Sequence, residues 1–90
     1  MLKFVWDERK RLRNHALHGF DFADAADFGW EDADVRVSYP SRLGRARFVA
    51  TGPLGSRLVT IVFSPLGTEA CSIISMRAAS RKERKSYANR

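Results

Sequence analysis

The stretch Leu58-Val59-Thr60-Ile61-Val62-Phe63 constrains the fold more than any other part of this chain. It is nearly apolar on both faces, the pattern of a strand with neighbours on each side. Turn residues bracket it, Gly52-Pro53-Leu54-Gly55 before and Pro65-Leu66-Gly67-Thr68 after. Connections this short join antiparallel neighbours. The neighbours are legible. Arg45 to Thr51 alternates in twos, with Arg45, Arg47, Val49 and Thr51 on one face and Ala46, Phe48 and Ala50 on the other. Cys71 to Met76 supplies the following strand. Upstream, Val35-Arg36-Val37-Ser38-Tyr39 alternates too, and Pro40 to Gly44 is a loop.

The N-terminal third has a different period. Phe4-Val5-Trp6 reads as a short strand, and Asp7 as the N-cap of a helix from Glu8 to Leu17 that Gly19 stops. Leu12 and Ala16 share the apolar face of that helix, and Arg9, Lys10, Arg11 and Arg13 are solvated. Asp21 caps a second short helix ending near Phe28-Gly29. Phe20 and Ala25 form its staple, Asp24 takes the capping-box position, and Phe22, Ala25 and Ala26 face inward. Ser80-Arg81-Lys82-Glu83 is a capping box that opens a last helix. The expected architecture is α+β: an antiparallel sheet meander with two N-terminal helices and a C-terminal helix, in one domain spanning residues 1–90.

The net charge of +6 is unevenly placed. Residues 1–40 carry six Lys/Arg against eight Asp/Glu, a net of −2, and residues 41–90 carry ten against two, a net of +8. Six of the acids fall within residues 21–34, a segment with no base. A short acidic segment followed by a strongly basic half favours a polyanionic partner on one oriented surface. The one cysteine, Cys71, cannot form an internal disulfide, and in its apolar run it is expected to be buried and unreactive. With no apolar run long enough for a membrane span and no signal-peptide pattern, the expected compartment is the cytoplasm.

No metal-ligand spacing, P-loop, dinucleotide glycine pattern or serine elbow is present, and no cofactor is expected. Cleaving RNA with side chains alone needs a base for the ribose 2′-hydroxyl, cations for the phosphate and an acid for the leaving 5′-oxygen. His18, just before Gly19, is a C-terminal helix cap, or else a catalytic residue or a contact to a protein partner. Arg47 on its strand and Arg77 at the end of the last strand are candidates for the phosphate, with an ion pair to Glu83 as the structural reading of Arg77. Tyr87, one turn after Glu83, serves either stacking and proton transfer or a buried hydrogen bond. Arg45, Arg81, Lys82, Arg84 and Lys85 are candidate contacts to an RNA backbone. Trp6 and Trp30 belong to the core or an interface.

Several of these pieces together resemble the BrnT family. They are Phe4-Val5-Trp6-Asp7, Asn14 with His18-Gly19, Phe22 with Ala25-Ala26, Arg47 with Gly52, Ile74-Ser75-Met76-Arg77, and Glu83 with Tyr87. They run almost end to end. The resemblance implies a RelE-like fold and a metal-independent endoribonuclease toxin that arrests translation. It further implies RNA as substrate and a cognate ribbon-helix-helix antitoxin, held in a two-plus-two complex that represses its own promoter. The chain departs from the family pattern at Leu17, where a lysine is usual, at Ala46, where an acid or arginine is usual, and at Met76, where alanine is usual. Two other readings fit the residues: a non-catalytic nucleic-acid-binding module, and a degenerate toxin that keeps only antitoxin binding.

Overall fold

Strand β4 (Arg57–Leu66) lies at the centre of a five-stranded sheet of order β1-β5-β4-β3-β2. The structure is a computed structural model that describes residues 2–90. The other strands are β1 (Lys3–Val5), β2 (Asp34–Ser38), β3 (Arg47–Leu54) and β5 (Ala70–Ala78). Helix α1 spans Glu8–His18 and α2 spans Arg81–Ala88, and two 3-10 segments cover Phe22–Asp27 and Trp30–Asp32.

Strands β2 to β5 form the expected antiparallel meander, but the sheet as a whole is mixed, because β1 pairs with β5 in parallel. The short-turn argument applies only to strands joined by turns. β1 is separated from β5 by most of the chain, so either direction was open to it. The residues Gly52-Pro53-Leu54, expected in a turn, belong to β3, and the reversal is confined to Gly55-Ser56, with Gly55 at φ 61°. Pro53 stays in the strand because its carbonyl accepts the Gly29 N–H at 2.8 Å. Gly52 is needed there, since a Cβ would stand 3.0 Å from Phe28 and 3.1 Å from Ala33.

One sheet face carries the core. Ala50, Val59, Ile61, Ile73 and Met76 pack against Phe20, Phe22, Ala25 and Phe28 of the 3-10 layer. Each large side chain buried this way contributes about 1.5–3 kcal/mol. Asp21 caps the first 3-10 segment through the Ala23 N–H, and Phe20 and Ala25 are buried as a staple requires, but Ala26 is exposed. The segment is 3-10, not α-helical. Trp30 packs edge-on to Phe28 and Phe63, stacks on Phe4, and donates to the Ala25 carbonyl. Trp6 sits edge-on to Phe22. Cys71 is buried, and burial pushes its thiol up to about 11, so it is inert as expected.

Helix α1 turns over the expected face. Asp7 caps it and Gly19 ends it at φ 77°, but Leu12 is 57% exposed and Ala16 is also exposed. The buried residue is Asn14. Its amide accepts the Met76 N–H at 3.1 Å and donates to the Met76 carbonyl at 2.8 Å and the Phe20 carbonyl at 3.2 Å. β1 covers only residues 70–72 of β5. Beyond it the edge of β5 needs partners for its backbone, and a side-chain amide supplies them where an apolar side chain could not. That requirement outweighs burying Leu12 and Ala16.

Candidate nucleic-acid interface

The second face of the sheet is only partly covered: α2 lies over its Thr60–Arg77 end, Thr51, Thr60 and Ser64 are buried, and the rest is half-buried. Alternation places Arg47, Val49 and Thr51 of β3 on it, with Thr60, Val62 and Ser64 of β4 and Arg77 of β5. A β-bulge between Val62 and Phe63 leaves Ile74 without a partner on β4. This shift lets Ile73 and Met76 both face the core while Ile74 and Ser75 both line the open side.

Four hollows run across this face and share lining residues. The first lies between α1 and β5 and is lined by Lys10, Arg13, Asn14, His18, Ile74 and Ser75, among others. Lys10 and Ile74 also line the second and largest, of about 650 Å³, with Arg42, Arg45, Arg47, Ser64 and Ser72. No acid lines it. Pro40 leads into the third, with Arg36, Ser38 and Tyr39, and Arg36 and Val49 into the fourth, with Asp34, Thr51 and Glu83. The result is one track from His18 past Arg47 to Tyr39 and on to α2. The acidic residues Asp24, Asp27 and Glu31 are exposed on the 3-10 layer, which covers the other sheet face.

Within the track, the Arg47 Nε is enclosed and has no hydrogen-bond partner among the described residues. Ser64 Oγ beside it is committed to the Ala46 carbonyl at 2.6 Å. Arg45 is exposed, and its N–H donates to Ser41 Oγ, which closes the loop before β3. His18 is exposed at the end of α1. Lys10, Asn14 and His18 recur every four residues, so the face that Asn14 anchors brings the other two to the groove. From the sequence alone Lys10 reads as merely solvated. The four-residue spacing around an uncharged polar residue was the signal that could have found it.

Arg77 lies elsewhere. Thr51 pairs with Thr60 and Thr60 with Arg77, whereas Arg47 pairs with Ser38, four residues (about 13 Å) along β3 from Thr51. Arg77 donates both Nη atoms to Glu83, at 2.7 and 3.0 Å, which is the ion-pair reading of this residue. Arg47 and Arg77 therefore do not share one phosphate in this arrangement. Glu83 also accepts the Ser80 N–H at 2.7 Å and the Thr60 hydroxyl at 3.0 Å. With its one proton given to Glu83, Thr60 accepts from Thr51 at 2.9 Å. The Arg77 guanidinium first, then the Ser80 N–H and Thr60 hydroxyl, hold the Glu83 carboxyl down to about 2 against its partial burial.

The capping box of α2 is complete, with Glu83 N–H to Ser80 Oγ at 3.1 Å. No residue of α2 is fully buried. Polar contacts hold it: Arg84 to the Ala79 carbonyl at 2.8 Å, Tyr87 Oη to the Asp32 carbonyl at 2.9 Å, and Ser86 to Arg36. Tyr87 is thus half-buried and hydrogen-bonded, with Arg90 over its ring at 3.8 Å. Arg81, Lys82, Arg84 and Lys85 are exposed.

Among the described residues, no helix is long and apolar enough to cross a membrane. A search of curated proteins finds no match. The crystal structure of the ribonuclease toxin BrnT of Brucella abortus is similar to this chain at 39% identity and a TM-score of 0.69, over 90% of this chain and 100% of that one. The sequence profile described as "Ribonuclease toxin, BrnT, of type II toxin-antitoxin system" matches residues 6–83. With the mixed sheet, the basic open face and a profile spanning nearly the whole chain, this protein belongs to the BrnT family of ribonuclease toxins of type II toxin–antitoxin systems.

Proposed function

We propose that this chain is an active endoribonuclease toxin that cleaves RNA on the open face of its sheet without a metal. The observation that carries the reading is the acid-free hollow around Arg47, with Lys10, Arg42 and Arg45 on its walls. A guanidinium there stabilises the charge that grows on a phosphate as the 2′-oxygen attacks. His18, at the adjoining end of the track, is the candidate for moving the proton. Arg77 and Tyr87 are positioning groups that hold α2 on the sheet through Glu83 and Asp32. Arg81, Lys82, Arg84 and Lys85 extend the contact to the RNA backbone beyond the track.

The regulatory half of the reading rests on the family. A type II toxin has an antitoxin partner, and we infer a ribbon-helix-helix protein that neutralises this chain in a two-plus-two complex in the cytoplasm. The RelE-like description of the fold is part of the same inference.

Induced expression in a bacterial host, with and without the neighbouring antitoxin gene, tests the toxin role through growth arrest. Cleavage of single-stranded RNA by purified protein tests the chemistry. Arg47→Ala and His18→Ala are expected to slow cleavage by about 10²-fold or more and to leave thermal unfolding unchanged. Folded Arg47→Ala that cleaves at the normal rate overturns the site. Wild-type protein that binds RNA but never cleaves it supports the non-catalytic module instead.

A further inference from the structure

Tyr39 is 90% exposed and Leu43, in the same loop, 87%. Large apolar groups so fully in water need a reason when they cluster beside a site. Tyr39 follows directly on β2, at the free edge of the sheet, and among the described residues no hydrogen bond holds its hydroxyl. It lines the hollow that continues, through Pro40, from the Arg47 groove, and Arg36 lies on the other side of it.

The surroundings decide what kind of molecule meets this ring. Arg42, Arg45 and Arg47 flank the Tyr39–Leu43 loop, and among the described residues the only carboxylates lining the track, Asp34 and Glu83, are paired with Arg36 and Arg77. The complementary partner is therefore a polyanion that also presents flat apolar surface. A single-stranded nucleic acid has both, because its bases are unstacked and each has a π face. A duplex presents only phosphates to such a ring.

We propose that Tyr39 is the stacking platform for one unpaired base of single-stranded RNA, beside a phosphate seat at Arg47. This rests on the reading that the chain acts on RNA and names the kind of strand it takes. The guanidiniums of Arg42, Arg45 and Arg47 hold the adjoining phosphates, and the ring holds the base beside them. Cleavage is directed to unpaired segments because only these can turn a base onto the ring. The Tyr hydroxyl is not needed, so phenylalanine serves equally.

The probe is a short 2′-O-methyl RNA oligonucleotide, single-stranded or annealed to its complement. It lacks the nucleophilic hydroxyl and is not consumed. Tyr39→Ala is expected to weaken binding of the single strand by about 5- to 100-fold, and Tyr39→Phe to bind as the wild type does. The slope of log affinity against log salt is expected to stay the same in Tyr39→Ala and to shrink by about one in Arg47→Ala. Duplex binding is expected to be equal in wild type and Tyr39→Ala. Unchanged single-strand affinity in Tyr39→Ala overturns the proposal, as does an equal loss on the duplex. A lowered unfolding temperature in that variant also overturns it, since the ring would then be packed. Lost affinity for the antitoxin with RNA binding intact would assign the ring to the protein partner. Wild-type protein that binds neither probe sinks the RNA reading itself, a result separate from the failure of Tyr39 alone.

Discussion

Replacing Asn14 by alanine tests the central feature of how α1 is attached. The substitution leaves the helix a better former but removes three hydrogen bonds, two of them to Met76, which is fully buried. Among the described residues the Met76 N–H has no acceptor at the sheet edge besides Asn14, and a buried polar group left unpaired costs about 1–3 kcal/mol. The Met76 carbonyl adds a comparable but smaller loss, for a total of roughly 2–4 kcal/mol. A chain of this length has a net stability of roughly 5–13 kcal/mol, so the variant still folds. Its unfolding midpoint is expected to fall by roughly 10–25 °C. Calorimetry and urea titration measure the loss, and amide exchange at Met76 localises it. The control is Leu12→Ala, which removes an exposed side chain and is expected to stay within about 0.5 kcal/mol of wild type. An Asn14→Ala protein as stable as wild type, with Leu12→Ala the damaged one, would refute the packing described for α1.

Two further outcomes follow from the attachment of α2. Folding lowers the Glu83 pKa from 4.5 to about 2, so the folded state binds fewer protons across that window. The stabilisation is complete above about 4.5 and drains as pH falls toward 2. It is on the order of 1–2 kcal/mol after solvent screening, so the stability gap between wild type and Glu83→Gln should be wide at pH 6 and narrow at pH 3. A gap that does not change with pH would contradict the ion pair. Ser80→Ala, which removes half of the capping box, should cost about 1 kcal/mol in urea denaturation, with no loss if the helix starts elsewhere.

Much of the fold was legible because it depends on neighbouring residues alone. Alternation in twos, turn residues and caps are local, and they located the meander, α1 with its Asp7 and Gly19 ends, and the Ser80–Glu83 box. The errors came where a local rule met a distant partner. The Gly52-Pro53-Leu54 turn became strand because Gly29 binds Pro53, and the face of α1 reversed because the edge of β5 needed an amide. The parallel pairing of β1 had no local signature at all.

The functional residues divide in the same way. The sequence by itself determined that the C-terminal half is basic, that arginines are the groups available for a phosphate, and that an acidic segment stands apart from them, since charge is a property of composition. Which arginine is free was decided only by tertiary structure. Arg77 and Arg47 look alike along the chain, but packing of α2 brings Glu83 onto Arg77, while the bulge at Ile74 and the turn of α1 leave Arg47 facing Lys10 across an open groove. A guanidinium matched by a carboxylate is neutralised where it stands, and one enclosed without a partner keeps its charge for a ligand. That difference depends on contacts between residues far apart in the chain, which no local pattern encodes.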